Sequence, residues 1–315
     1  YTSTTYPVYL LILEICDVVL RLLSASVIYS VILLNKRGSS HGRSINATTL
    51  AYLMEHCQSL KALKLKGLEV YENHCLVIGA YSRPGLEIVL EDCRIEGIAA
   101  EALAEVMGRN QGPTEIKFCY INNAIVANGL RGNSRLGKLG TRLSNKFEVS
   151  NREVLAIADA VRENKGLVDL TFRNGVGMSD EVWDAVCDSL KIHPTLKLLA
   201  LDATRWFGPT PMALDVITSR EQALLDMMKV NISIHTVYGH DNRHDFFRRS
   251  VIPYLETNKF RPRVRAIQKT LPITKRAMVL GRALLSARND ANSFWMLLSG
   301  NAEVSFPSRT TTIAE

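Results

Sequence analysis

Cysteine is sparse in this chain, six in 315 residues. No two of them stand in a C-x-x-C pair, so a disulfide scaffold, a zinc ribbon and a thioredoxin-type redox site are unsupported. Most of Cys16, Cys57, Cys75, Cys93, Cys119 and Cys187 lie in apolar stretches. They read as small buried thiols of a protein in a reducing, intracellular compartment. Two glycosylation sequons, at Asn46 and Asn231, do not alter that, because short sequons often arise by chance. The chain also lacks a charge-free apolar run. Residues 8–34 are apolar, but Glu14, Asp17 and Arg21 interrupt them, whereas a membrane-spanning helix needs about 20 residues nearly free of charge. That stretch is expected to form a buried helix followed by a strand. The sequence begins at Tyr1 rather than Met, which reads as a processed or truncated start, and with no basic segment before Tyr6 no signal peptide is expected.

Catalytic motifs are equally scarce. Gly132-Asn-Ser-Arg-Leu-Gly137-Lys138-Leu139 comes near a phosphate-binding loop. Leu139, however, stands where a Ser or Thr would hold magnesium, and the segment is expected to precede a strand rather than follow one. His240-Asp241-Asn242-Arg243-His244 has zincin-like spacing, but Asp is one methylene short of the usual Glu and no third ligand is evident, so helix capping by Asp241 or Asn242 is the better account. No G-x-S-x-G, G-x-G-x-x-G or triad spacing occurs. The chain is therefore expected to be non-enzymatic, with no cofactor and no metal.

What the chain has is a globular composition, 47% hydrophobic and 22% charged, and a period. Leu60-x-x-Leu63-x-Leu65, Leu167-x-x-Leu170-x-Phe172 and Leu196-x-x-Leu199-x-Leu201 each predict a short strand with inward residues at alternate positions. Weaker copies are Ile28-x-x-Val31-x-Leu33, Ile88-x-Leu90, Ile116-x-Phe118, Leu136-x-x-Leu139 and Ile234-x-x-Val237. The middle apolar residues 31, 63, 88, 116, 139, 170, 199 and 237 recur at a mean spacing near 29. Asn110, Asn133, Asn164 and Asn231 lie six residues before four of these anchors, and Asn tolerates the left-handed conformation that ends a helix. Between the strands, Ser150–Glu153 predicts a capping box before an apolar stripe of Val154, Leu155, Ala158 and Val161. Ser179 caps a helix burying Val182, Val186 and Leu190, and Gly97 opens one with Ile98, Leu103, Val106 and Met107.

A strand and a full helix in about 28 residues resembles the leucine-rich repeat of the ribonuclease-inhibitor type, over roughly residues 8–242. The usual Asn or Cys three residues beyond the last strand leucine survives as Cys93 and Asn242. The resemblance implies an α/β solenoid of about eight degenerate repeats, with parallel strands on a concave face and helices on a convex one. It also implies a binding surface made of the outward strand residues. Among them Lys64, Lys66, Glu91, Lys117, Arg142, Thr171, Arg173, Asp202 and Tyr238 are the partner-binding candidates. An insert, Trp206-Phe207-Gly208-Pro209-Thr210-Pro211, adds Trp206 and Phe207 as loop contacts.

From residue 243 the strand pattern stops. Residues 243–288 hold twelve Lys and Arg against Asp245 and Glu256, a net +10, while the whole chain is +7. The remainder is therefore −3. Residues 243–315 predict an all-helical basic cap, with Pro262 and Pro272 separating helices. Arg248, Arg249, Lys259, Arg261, Arg263, Arg265, Lys269, Lys275, Arg276 and Arg282 form its docking surface. Together these features predict a protein-binding scaffold for an acidic or mixed-charge partner, rather than a small-molecule or nucleic-acid binder. The alternatives are a regulator of a nucleotide-dependent enzyme, such as a GTPase-activating protein with Arg142 or Arg173 acting in trans, and docking of residues 243–288 on an anionic lipid or nucleic-acid surface.

Overall fold

A computed structural model describes residues 8–11, 29–34, 45–143, 146–173, 179–201, 214–238, 247–259, 272–286, 288 and 291–299. Strands and helices alternate along the chain. They run β1 (Val8–Leu11), β2 (Ser30–Leu34), α1 (Ala47–His56), β3 (Ala62–Lys66), α2 (Glu72–Ala80), β4 (Glu87–Glu91) and α3 (Ile98–Gly108). Next come β5 (Glu115–Lys117), α4 (Asn123–Leu130), β6 (Lys138–Arg142), α5 (Phe147–Glu163), β7 (Asp169–Arg173), α6 (Asp180–Leu190), β8 (Leu198–Leu201), α7 (Leu214–Val230) and β9 (Thr236–Tyr238). All nine strands form one parallel sheet in sequence order, the arrangement of an open solenoid. Strand residues alternate between the core and the open face, as in β3, where Leu63 and Leu65 are fully buried and Lys64 and Lys66 are not. One continuous core runs through the stack from Val31 to Leu255. No single rung has enough apolar surface to stand alone, so each depends on its neighbours.

The strand register follows the leucine anchors in six of seven steps. Val31 pairs with Leu63, Leu63 with Ile88, Ile116 with Leu139, Leu139 with Leu170, Leu170 with Leu199 and Leu199 with Val237. At β4 the expectation fails. Ile116 faces Leu90 rather than Ile88, and Thr114 takes the place beside Ile88. Phe118 is not an inward residue; Cys119 is. The Cys119 thiol donates to the Leu90 carbonyl at 3.4 Å as Cys93 does to Leu65 at 3.3 Å, so the post-strand Cys position is filled twice. A ninth strand also stands where a helix was expected. Val8–Leu11 is extended and pairs with β2, Val8 opposite Val31.

One helix start and the burial of two residues differ from expectation, while Gly97 does open α3. Helix α5 begins at Phe147, so Ser150 is not a cap but a buried residue of the second turn, and Leu155 is exposed while Ile157 and Ala160 are buried. Ile98 is exposed at the start of α3. Ser179 does cap α6, its hydroxyl accepting from the Val182 amide. Five cysteines are free and buried, and Cys16 lies outside the described residues. Among the described residues no helix is long and apolar enough to cross a membrane.

The asparagines act through their side chains. Asn110 is left-handed at φ 60, but Asn164 is extended at φ −71. Buried Asn164 donates to the carbonyls of Leu130 and Asn133 in the preceding turn, and its Oδ1 accepts from the amides of Gly166 and Leu167 in its own. Asn231 does the same toward Leu190 and His193. Asn133 donates to Met107 and accepts from Leu136. Two arginines add to this: Arg83 reaches the carbonyls of Met54, Cys57, Gln58 and Leu60, and Arg135, in the same turn as Asn133, those of Arg83, Leu86 and Gly112. The β4, β6, β7 and β9 rungs thus supply donors for carbonyls that the end of an earlier helix would leave buried and unpaired.

His193 holds the asparagine position of the β8 rung. Its Nδ1 accepts from the amides of Thr195 and Leu196, so the proton sits on Nε2. That Nε2 is buried and meets no partner among the described residues. Burial pushes the imidazole down from 6.5 to about 4. An unfolded histidine binds its proton first, so this site's contribution is complete above about pH 6.5 and is lost as pH falls toward about 4. We expect His193→Asn to restore the missing donor, stabilise the fold by about 1 kcal/mol, and flatten the decline over that pH window. Urea titrations at pH 7 and pH 5 check both effects.

Candidate functional site

After three of the strands the next residue turns left-handed. Gly67, Asp92 and Phe118 occupy equivalent places after β3, β4 and β5. Each donates its amide to the neighbouring strand, at Glu91, Lys117 and Gly140 respectively, and each has positive φ, 68°, 51° and 54°. Glycine takes that conformation freely and Asp tolerates it. For phenylalanine it costs on the order of 1 kcal/mol. The turn throws the Phe118 side chain outward beside Lys117, where its ring lies over Gly140 of β6. A Cβ at Gly140 would stand 3.2 Å from that ring, so the missing side chain makes room for it.

Two arginines stand against this platform. Arg142 and Arg173 are register partners at the ends of β6 and β7. The Arg142 guanidinium lies 3.9 Å from the Tyr120 ring centroid and that of Arg173 4.7 Å from the Phe118 centroid. Lys117 approaches the Phe118 ring at 5.9 Å. The backbones are fixed as well: Asn123 donates to the Arg142 carbonyl, and the Arg173 carbonyl accepts the Leu143 amide. Sequence reading found the three cations but not Phe118 or Tyr120. The clue was available in the equivalence of Gly67, Asp92 and Phe118, which marks a bulky residue where a small one belongs.

The other candidates are placed differently. Glu91 is buried and held by both Lys64 and Lys66 from β3. Burial alone would raise its carboxyl, but hydrogen bonds and charge from the two lysines outweigh it and hold the group at about 2. Lys138, the lysine of the near-miss phosphate loop, opens strand β6 after a turn and pairs with Glu115 at 3.4 Å. Thr171 is half-buried beside Gly140, and Tyr238 is exposed on β9. Asp202, Trp206 and Phe207 lie outside the described residues, as does the 240–244 motif.

The basic C-terminal part divides. The helical turn Phe247–Val251 continues as helix through 259 (together α8), and its Val251 and Leu255 join the main core. Asn258 donates to the carbonyls of Asn231 and Ile234, carrying the asparagine ladder one step past β9. Arg249 and Lys259 are exposed there, Lys259 paired with Glu256. Helices α9 (Ile273–Ser286) and α10 (Ala291–Ser299) bury Leu280, Ala283 and Leu297 in a small cluster of their own and expose Lys275 and Arg282. Arg248 and Arg276 lie on described helices; Arg261, Arg263, Arg265 and Lys269 lie outside the described residues. Among the described residues no group of three or more His, Cys, Asp or Glu gathers around a possible metal position.

No family model matches the chain, and no curated protein matches it. Among solved structures it is similar to a chain described as "Leiomodin-1 Actin-Binding Site 2 (ABS2)", with a TM-score of 0.42 and 17% identity, over 53% of this chain and 92% of that one. A likeness of that strength places the chain in no family.

Glu91 gives this face a measurable titration. Its carboxyl lies below the ordinary 4.5, so its contribution is complete above that value and is lost as pH falls toward about 2. Lys64 and Lys66 keep about a third of their side-chain surface in solvent, which screens the pair. Glu91→Gln is therefore expected to destabilise by only about 1 kcal/mol at neutral pH, and by nothing near pH 2. Thermal melts across that range check it.

Proposed function

We propose that the chain is a leucine-rich repeat protein of the ribonuclease-inhibitor type. In this reading it acts as a non-enzymatic protein-binding scaffold that takes its partner on the open face of the sheet. The observation that carries the proposal is the extent and chemistry of that face. Nine strands at about 4.8 Å spacing span roughly 40 Å, the scale of a protein surface rather than a metabolite. The face presents Lys64, Lys66, Lys117, Arg142, Arg173 and exposed Tyr238 on a rigid support. Arginine and tyrosine are favoured contact residues, since both bring large area with few rotors. The five buried thiols fit a reducing compartment.

The basic helices favour a second surface. Met278, Leu285, Phe294 and Trp295 are exposed on α9 and α10 beside Lys275 and Arg282, a pairing of apolar and cationic groups suited to an anionic interface. Helix α8 belongs to the cap of the array.

Charge reversal tests the face. The combined Lys117→Glu, Arg142→Glu and Arg173→Glu variant is expected to lose partners that co-purify with the wild-type chain at low salt, by roughly tenfold or more. Retention of the same partners would overturn the reading. The second surface predicts that Trp295→Ala with Arg282→Gln lowers sedimentation with phosphatidylserine vesicles, while neutral vesicles bind neither protein.

A further inference from the structure

Arg142 and Arg173 are neighbours on adjacent parallel strands and carry the same charge. Like charges directly across a strand pair repel, and the usual remedy is a carboxylate between them. Glu91 does this for Lys64 and Lys66, and Glu115 for Lys138. Among the described residues no carboxylate bridges Arg142, Arg173 or Lys117. Instead each arginine rests on an aromatic ring, and one ring is presented only because Phe118 accepts a left-handed backbone and Gly140 leaves space for it. Among the described residues, backbone strain and cations without a bridging carboxylate coincide here. A guanidinium covered on its flat side keeps its N–H edge for a planar, two-oxygen acceptor.

We propose that Arg142 and Arg173, held on Tyr120 and Phe118, form a clamp for a carboxylate side chain of an acidic segment on a protein partner. The proposal rests on the open face being a protein-binding surface and names the chemistry it recognises. The surroundings argue against a long polyanion. Glu115 and Asp169 flank the clamp on β5 and β7 and Glu87 and Glu91 lie beyond it on β4, so a nucleic-acid backbone following the face would meet carboxylates of its own sign, whereas one acidic side chain between two arginines would not.

Phe118 separates folding from binding. Glycine there matches Gly67 in the equivalent turn and removes the backbone strain, so Phe118→Gly is expected to keep or raise the thermal midpoint while weakening the clamp. The full-length chain is titrated with a fluorescein-labelled polyglutamate peptide at low salt, with the same peptide made of glutamine, and with a phosphoserine peptide of neutral sequence. Polyglutamate is expected to bind, polyglutamine not to. Arg142→Gln with Arg173→Gln should weaken polyglutamate about tenfold, Phe118→Gly about threefold to tenfold, and Lys197→Gln, an exposed cation just before β8, far less. Equal losses in the Lys197 and arginine variants would mean diffuse attraction and overturn the clamp. So would binding unaffected by Phe118→Gly, or a preference for the phosphoserine peptide. The wider reading fails separately: partners that co-purify despite charge reversal of the whole face refute that reading, whereas partners lost on charge reversal but kept by the double glutamine variant refute only the clamp.

Discussion

At the ends of α1, α3, α4 and α6 the last carbonyls turn into the protein rather than into water. Buried carbonyls must find donors, and neither the strand ladder nor the helix can supply them, because both have ended. The solution recurs along the molecule. Arg83 reaches across at the β4 turn, Asn133 and Arg135 together at the β6 turn, and Asn164, Asn231 and Asn258 farther along. Apolar burial supplies the larger part of the driving force. The amide and guanidinium bonds decide which turn meets which, and so hold the strands in the register from which the open face takes its pattern.

That register explains the character of the face. Two parallel strands bring equivalent residues side by side, so charge at one repeat position becomes a row of charge. Where lysine meets glutamate in the next strand, as at Lys66 and Glu91, the row neutralises itself. Where arginine meets arginine, as at Arg142 and Arg173, it does not. The bulky residue in the left-handed turn at Phe118 sits beside this unbalanced pair, which is why the two features are read together.

Much of the fold was legible from the leucines. Their spacing reports burial on alternate strand positions, the property that the sheet enforces most strictly, and most strand pairings follow from it. The failures lie where backbone conformation breaks alternation. Phe118 looks like an inward strand residue until its positive φ is known. Val8–Leu11 looked helical because apolar residues continue on both sides of it and periodicity cannot sort a short apolar run. Ser150 and Glu153 carry a capping-box pattern inside a helix that starts earlier. The asparagines were recognised as helix stops, but their work is between rungs, which a single repeat does not display. On the face, the charges were legible. The ion pairs and ring contacts were not, because they depend on which strand lies beside which.

In a linear stack, neighbouring rungs communicate only through the seam they share, so the array is as cooperative as its weakest seam allows. His193 accepts within its own turn but returns no donor to the turn before it. The boundary between the β7 and β8 rungs thus lacks the buried amide link of its neighbours and is joined instead by the Thr195 hydroxyl, which reaches the Lys165 and Leu167 carbonyls. Partial opening that begins at the C-terminal end, with α8 and β9, has a natural place to stop there. The rungs that carry Phe118, Tyr120, Arg142 and Arg173 lie on the other side, so breathing of the distal end leaves them assembled.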